Sequence, residues 1–452
     1  MDEIKLSDDV IEQIKYFNRY FLTKEEKSLL DKLITDEELK VRYKENGLCG
    51  TCKQLKTRYD YCRSCKSQYF KQNFKNWTSG NHEIDELIQK AQLKAKNTKQ
   101  IIEWIEYDKF EDVEYLAKGG FGITYKAVWK DGFIRAKDEN GQLERIGLVE
   151  SNILVINTGW VVRCFGITKD PKTNNFMMVM DLKHGSLRQH LNDNFISLDW
   201  NKKFFSLQGI AVGLKDIHNK GLIHHDFHCG NILSSYNGLA SITDLGLCQP
   251  ANAKSSQNSN KKIYGVLPYV APEVLKGNEY TQKSDIYGFG IIAYEICTGF
   301  PPYYDVAHDE FLAMKICQGL RPKSNYKIPK LIFDIINQCW DTDPLKRPDA
   351  NELRELIVEL YRDIRDNKVA SVIYGQVKEA DEINKESSLT VQSSLSSTST
   401  SLLYTAHPQA VYTSRLLDFR NLLEPKNANN DDLEYSDSLR MDFTKLDINS
   451  RD

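Results

Sequence analysis

The stretches HHDFHCGNIL at 224–233 and TDLGL at 243–247 decide how this chain folds. Asp226 and Asn231 lie five residues apart, and Asp244 follows thirteen beyond Asn231. Two short β-like runs, 222–223 and 240–242, flank the first stretch and predict a loop held between strands. That spacing offers one carboxylate to accept a hydroxyl proton. It also offers an amide and a second carboxylate to hold Mg²⁺ against a triphosphate. Asp, Gly and Asn are common turn residues as well, so each piece alone has a purely structural reading. Their order and spacing together argue for a site.

Upstream, LAKGGFGITYKA at 116–127 reads as strand, glycine turn and strand. Gly119, Gly120 and Gly122 would let backbone amides approach phosphate groups without side-chain hindrance. With APE at 271–273, SDIYGFG at 284–290 and KRP at 346–348 added in order, the sequence resembles the eukaryotic protein kinase family across 107–362. HHDFHCGN stands in place of H-R-D-L-x-x-x-N, and DLG in place of D-F-G. WDTDPLKRP at 340–348 looks like the tyrosine-kinase-like branch, and fungal kinases with a leading cysteine cluster are similar.

The resemblance implies an α+β bilobal fold with a small β-rich N-lobe and a larger helical C-lobe. It implies transfer of the γ-phosphoryl group of ATP to Ser/Thr hydroxyls of protein substrates in intracellular signalling. Asp226 would act on the acceptor, with Asn231 and Asp244 on Mg²⁺ and Lys137 on the nucleotide phosphates. Gly119, Gly120, Phe121 and Gly122 would cover those phosphates. Ala136 would lie on the lysine strand, and Met180, Asp181 and Leu182 would present backbone to the adenine. By the same resemblance Asp285 anchors the catalytic loop from a buried helix, and Glu273 pairs with Arg347.

The chain departs from the family pattern in several places. Ala117 takes the place of the first glycine of the loop. The usual A-x-K is shortened to Ala136–Lys137, and because strand side chains alternate, a one-residue slip would turn Lys137 away from the nucleotide. Glu150 and Glu144 are both candidates for its glutamate partner. His225 replaces the arginine before the catalytic aspartate, and a neutral imidazole cannot fork onto a phosphate. Activity is therefore expected not to depend on phosphorylation of Ser255, Ser256 or Ser259. His228 replaces a permanent cation, which should weaken transition-state stabilisation. Two alternatives stay open: a pseudokinase scaffold that binds nucleotide or partners without turnover, and an adaptor acting through the cysteine module.

That module is CGTC and CRSC, giving Cys49, Cys52, Cys62 and Cys65. Two CxxC knuckles facing each other form a four-sulfur site for structural Zn²⁺ with no open position. The run Tyr69, Phe70, Lys71, Phe74, Lys75 and Trp77 could bind RNA or a partner; packing against a module that lacks its own core is the favoured reading. The loop PPYYD at 301–305 reads as packing or as a docking surface, and Tyr404 and Tyr412 as candidate modification sites.

The 452 residues carry 60 Lys+Arg against 63 Asp+Glu, which excludes a strongly basic polymer binder. No apolar run approaches the roughly 20 residues of a membrane span, and the acidic N-terminus lacks a secretory pattern. An intracellular, cytoplasmic protein is expected, with protein substrates, signalling partners at the module or tail, no membrane, and nucleic acid disfavoured. The expected organisation is a helical region at 1–105 with the zinc module at about 45–70, a kinase domain at 107–362, and a tail at 363–452. Residues 376–452 hold 8 basic and 13 acidic residues, and 387–401 hold 11 Ser/Thr, so the tail is expected to be acidic and mostly disordered.

Overall fold

A computed structural model describes residues 6–118, 123–137, 143–145, 160–235, 240–245, 248–251, 263–392, 404–419, 422 and 424–427. Contacts divide the chain into two units, Met1–His184 and Gly185–Asp452.

The first unit opens with helices α1 (Asp8–Ile14), α2 (Lys24–Leu33), α3 (Glu37–Asn46), α4 (Arg63–Asn73) and α5 (His82–Lys94). Four of them start at a residue whose side chain accepts a first-turn N–H: Ser7, Thr23, Asp36 and Asn81. Leu6, Ile11, Ile14, Leu30, Ile34, Leu39, Tyr43 and Leu55 form one buried cluster. A second gathers Tyr61, Phe70, Ala95, Ile101 and Ile134, with Phe74 packed against it. Phe70 and Phe74 thus pack as expected, and Trp77 lies edge-on to Phe74. Tyr69 stays exposed.

The strands of this unit are β1 (Glu103–Trp104), β2 (Phe110–Lys118), β3 (Ile123–Trp129), β4 (Ile134–Lys137), β5 (Leu143–Arg145), β6 (Cys164–Lys169) and β7 (Phe176–Met180). They pair as β2–β3, β4–β5 and β1–β6–β7. Ile105, Trp129, Phe133 and Phe165 fill the core beneath them. On β4, Ile134 lies opposite Arg145 and Ala136 opposite Glu144, so Arg135 is an extra residue, a bulge. The bulge breaks strict alternation, and the facing of Lys137 does not follow from counting along the strand.

The second unit contains α6 (Leu187–Asn194), α7 (Trp200–His218), α8 (Pro272–Leu275), α9 (Gln282–Thr298), α10 (Glu310–Cys317), α11 (Lys330–Cys339), α12 (Ala350–Arg365) and α13 (Val372–Gln392). Its strands are β8 (Leu222–Ile223), β9 (Ile232–Ser234), β10 (Ala240–Ile242), β11 (Gln249–Pro250), β12 (Ile263–Gly265) and β13 (Arg415–Leu417). Helix α9 is its axis: every residue from Ser284 to Thr298 is buried. Thr281 caps its start, and Gly299 ends it at φ 77°.

Two stretches of the tail carry structure, each for a local reason. Ile373, Ala380 and Asn384 share one face of α13 and are buried. Gln376 accepts the N–H of Leu331 at 2.9 Å, Asp381 accepts the Trp200 indole N–H at 2.9 Å, and Asn384 exchanges two hydrogen bonds with the Lys327 backbone. Further on, β13 pairs antiparallel with β12.

Candidate catalytic site

Strands β8 and β9 deliver the loop that carries Asp226 and Asn231, and α9 holds that loop from below. The buried carboxylate of Asp285 accepts the backbone N–H of His224 at 2.8 Å and of His225 at 3.2 Å, with His218 Nε2 at 2.9 Å. The expected anchoring role of Asp285 is borne out. Gly288, one turn along α9, allows the close approach: a Cβ there would lie 2.9 Å from the Phe227 carbonyl oxygen.

Asn231 donates its amide to the Asp226 carbonyl at 2.8 Å and to Asp226 Oδ2 at 3.2 Å. The Thr243 N–H donates to the Asn231 carbonyl at 2.9 Å, which ties the residue before Asp244 to the same loop. The buried ring of His224 bonds the Thr243 carbonyl at 2.9 Å. Burial pushes the His224 pKa down, so the ring is neutral and donates there. Two residues of the site sit in the left-handed region, His225 at φ 75° and Asp244 at φ 55°, a cost kept where surrounding contacts over-determine the backbone. His225 stacks on Tyr280 at 4.2 Å, and burial lowers its pKa.

Asp226 is 3% exposed. Burial acts to raise its carboxyl, but hydrogen bonding and charge from His228, with a hydrogen bond from Ser414, bring it below the usual carboxylate value. It is ionised at neutral pH, as an acceptor of a proton must be. Among the described residues, no group hydrogen-bonds Asp226 Oδ1. With its nitrogen on Asp226, Asn231 leaves its amide oxygen uncommitted among the described residues, and that oxygen and the Asp244 carboxylate are of the hard kind that Mg²⁺ takes.

Sequence reasoning missed Ser414. Its hydroxyl donates to Asp226 Oδ2 at 2.5 Å and lies 3.1 Å from His228 Nε2. The signals available were Tyr412 and the loop at 301–305, which do meet: the Tyr412 hydroxyl donates to the Pro302 carbonyl at 2.9 Å.

Other expected site residues lie in the first unit. Gly119, Gly120, Phe121, Gly122 and Glu150 fall outside the described residues, as do Ser255, Ser256 and Ser259. The Lys137 and Ala136 backbones are placed on β4. Met180 ends β7 opposite Cys164, and Asp181 donates its N–H to the Arg163 carbonyl at 3.0 Å.

The four cysteine sulfurs of the N-terminal module lie within 4.8 Å of one another. Cys49 and Cys65 are 3.7 Å apart, and Cys52 and Cys62 are 3.5 Å apart. A tetrahedron with metal–sulfur bonds of about 2.3 Å has sulfur edges of about 3.8 Å, so the donor set fits a structural metal. The Cys49 thiol is drawn down to about 3, first by a hydrogen bond from Cys62, while Cys62 itself is pushed up.

The family model for protein tyrosine and serine/threonine kinases matches residues 111–357. The chain belongs to this kinase family. The kinase is 32% identical over 270 residues to the probable serine/threonine-protein kinase roco5 of Dictyostelium discoideum, covering 54% of this chain and 9% of that protein. A second probable serine/threonine-protein kinase of that organism is 27% identical over 286 residues, covering 60% and 16%. Human mitogen-activated protein kinase kinase kinase 7 is 26% identical over 270 residues, covering 58% and 43%. The chain thus spans less than half the length of these relatives. The buried Glu273–Arg347 pair expected of the family is present in this kinase, with both contacts at 2.7 Å. No helix among the described residues is long and apolar enough to cross a membrane.

Proposed function

We propose that this kinase transfers the γ-phosphoryl group of ATP to Ser/Thr hydroxyls of proteins inside the cell. The observation that carries this reading is the ionised, buried carboxylate of Asp226, oriented by Asn231 on a loop fixed to Asp285. Asp226 takes the acceptor proton, Asn231 and Asp244 hold Mg²⁺, and Lys137 contacts the phosphates. The glycine loop (Gly119, Gly120, Phe121, Gly122) and Ala136 line the nucleotide, and Met180, Asp181 and Leu182 present backbone to adenine. The ion's contribution is to neutralise charge developing on the phosphates. Ser/Thr choice is supported by the relatives, which are named probable serine/threonine-protein kinases. The four cysteines hold one structural Zn²⁺, a reading supported by their mutual distances.

The test is Mg²⁺-dependent transfer of labelled phosphate from ATP to dephosphorylated casein. Asp226→Asn should lower the rate by roughly 10²–10⁴-fold, the usual worth of a positioned general base, with nucleotide binding and melting temperature retained. Nucleotide binding with no transfer by the wild-type chain would overturn the reading in favour of a scaffold.

A further inference from the structure

The segment at 404–419 lies along the second unit as a peptide substrate would. Strand β13 adds to the edge of β12 with Leu417 opposite Ile263, Leu416 opposite Tyr264 and Arg415 opposite Gly265. Backbone pairing of this kind fixes register, and the side chains then select sequence. Leu417 is 3% exposed. The Arg188 guanidinium stands 4.1 Å from the Tyr412 ring centroid, and Arg415 donates to the His308 carbonyl. Upstream, the His407 N–H donates to the Tyr304 carbonyl at 2.8 Å, and the Tyr404 hydroxyl donates to Asn192 at 3.2 Å.

This register sets Ser414 on the catalytic carboxylate. Gly230 donates its N–H to His228 Nδ1 at 3.1 Å, so Nδ1 is an acceptor and Nε2 carries a ring proton. Ser414 Oγ therefore accepts from His228 and gives its own proton to Asp226 Oδ2. A hydroxyl whose hydrogen points at the base, with an oxygen lone pair left over, is an acceptor poised for phosphoryl transfer.

We propose that Ser414 is a phosphorylation site of this chain, modified in cis by its own catalytic loop. The proposal rests on the kinase reading above. Ser414 Oγ forms a bond to the γ-phosphorus of ATP, and the bond from that phosphorus to the β,γ-bridging oxygen breaks. ADP leaves with the electron pair, and the hydroxyl proton passes to Asp226. The product carries a phosphate of nearly two negative charges beside the Asp226 carboxylate, and like-charge repulsion then expels the segment. Until that happens the segment excludes other acceptors, so the first turnover opens the site.

The experiment follows the full-length chain with ATP and Mg²⁺ over time, mapping phosphoserines by mass spectrometry at several chain concentrations. Dephosphorylated casein is present as a second acceptor. Ser414 should be modified first, at a rate independent of chain concentration, and casein phosphorylation should show a lag. Ser414→Ala should remove the Ser414 signal and, with the segment never expelled, hold casein phosphorylation at the slow rate of the lag. Leu417→Asp, which displaces the segment without touching the acceptor, should lose cis modification and shorten the lag severalfold. Casein phosphorylation by the wild-type chain with Ser414 unmodified, or Ser414 modification proportional to chain concentration, overturns the proposal and leaves the kinase reading standing. Transfer to neither acceptor overturns the kinase reading itself.

Discussion

Arg347 and Glu273 meet in a buried bidentate ion pair, with both nitrogen–oxygen distances 2.7 Å and the arginine 1% exposed. The guanidinium also donates to the carbonyls of Asp341 at 2.7 Å and Lys283 at 2.9 Å, so one side chain binds α8, the start of α9 and the approach to α12. Arg347→Ala would strand the Glu273 carboxylate in a buried site. Breaking such a pair costs roughly 3–5 kcal/mol. Urea unfolding should show that loss, and Arg347→Lys should recover only part of it because the fork geometry is gone.

Gly288 is where the backbone of α9 packs against the Phe227 carbonyl of the catalytic loop. A methyl group there meets the Phe227 carbonyl at 2.9 Å, and backbone must move to admit it. Gly288→Ala is expected to cost roughly 1–3 kcal/mol, the range for overpacking a core. Because the displaced carbonyl is next to Asp226, phosphoryl transfer measured well below the melting temperature should fall as well, with KM for nucleotide little changed.

Metal analysis of the purified chain should return about one zinc per molecule, as four thiolates bind a single tetrahedral ion. Chelation should lower the melting temperature, because metal binding adds to folding free energy. Cys62→Ser, with Cys62 buried at the start of α4, should abolish both the bound zinc and the effect of the chelator. Metal-free protein with an unchanged melting curve would contradict the assignment.

Acidification should destabilise the chain through the buried His224 and His308 and the half-buried His225. Burial lowers the pKa of His224, His225 and His308 in the folded protein below the ordinary 6.5. Between the two values the unfolded chain binds more protons than the folded one, so stability rises with pH in that window. Their contribution is complete above about pH 6.5 and is lost as pH falls through the folded values. Melting temperatures recorded from pH 8 to pH 5 should be level at first and decline below that point.

The catalytic loop was legible because its chemistry is local: Asp226, Asn231 and Asp244 fall within nineteen residues and need particular side chains. Asp285 and the Glu273–Arg347 pair were legible through family resemblance, and four cysteines in two knuckles are hard to read otherwise. Ser414 was not legible. Its partner Asp226 is 188 positions away, and the residues that dock its segment are few in a stretch whose average composition is polar and acidic. Composition averages over windows, whereas docking depends on single side chains such as Tyr412 and Leu417. On β4, the bulge at Arg135 is a backbone irregularity that two-residue alternation does not anticipate.

Ile134 shares its buried cluster with Tyr61, Phe70, Ala95 and Ile101, all of them before residue 111, where the family match begins. At the other end, Gln376, Asp381 and Asn384 engage the second unit from beyond residue 357, where the match ends. A recombinant fragment trimmed to 111–357 would therefore be cut through packed surface on both sides. It would expose Ile134 at one end and leave the Trp200 indole and the Leu331 amide without their partners at the other. Such a fragment should be poorly soluble, and its failure in an assay would report on the trimming and not on the enzyme. The piece to express runs from the first capped helix through the segment that presents Ser414.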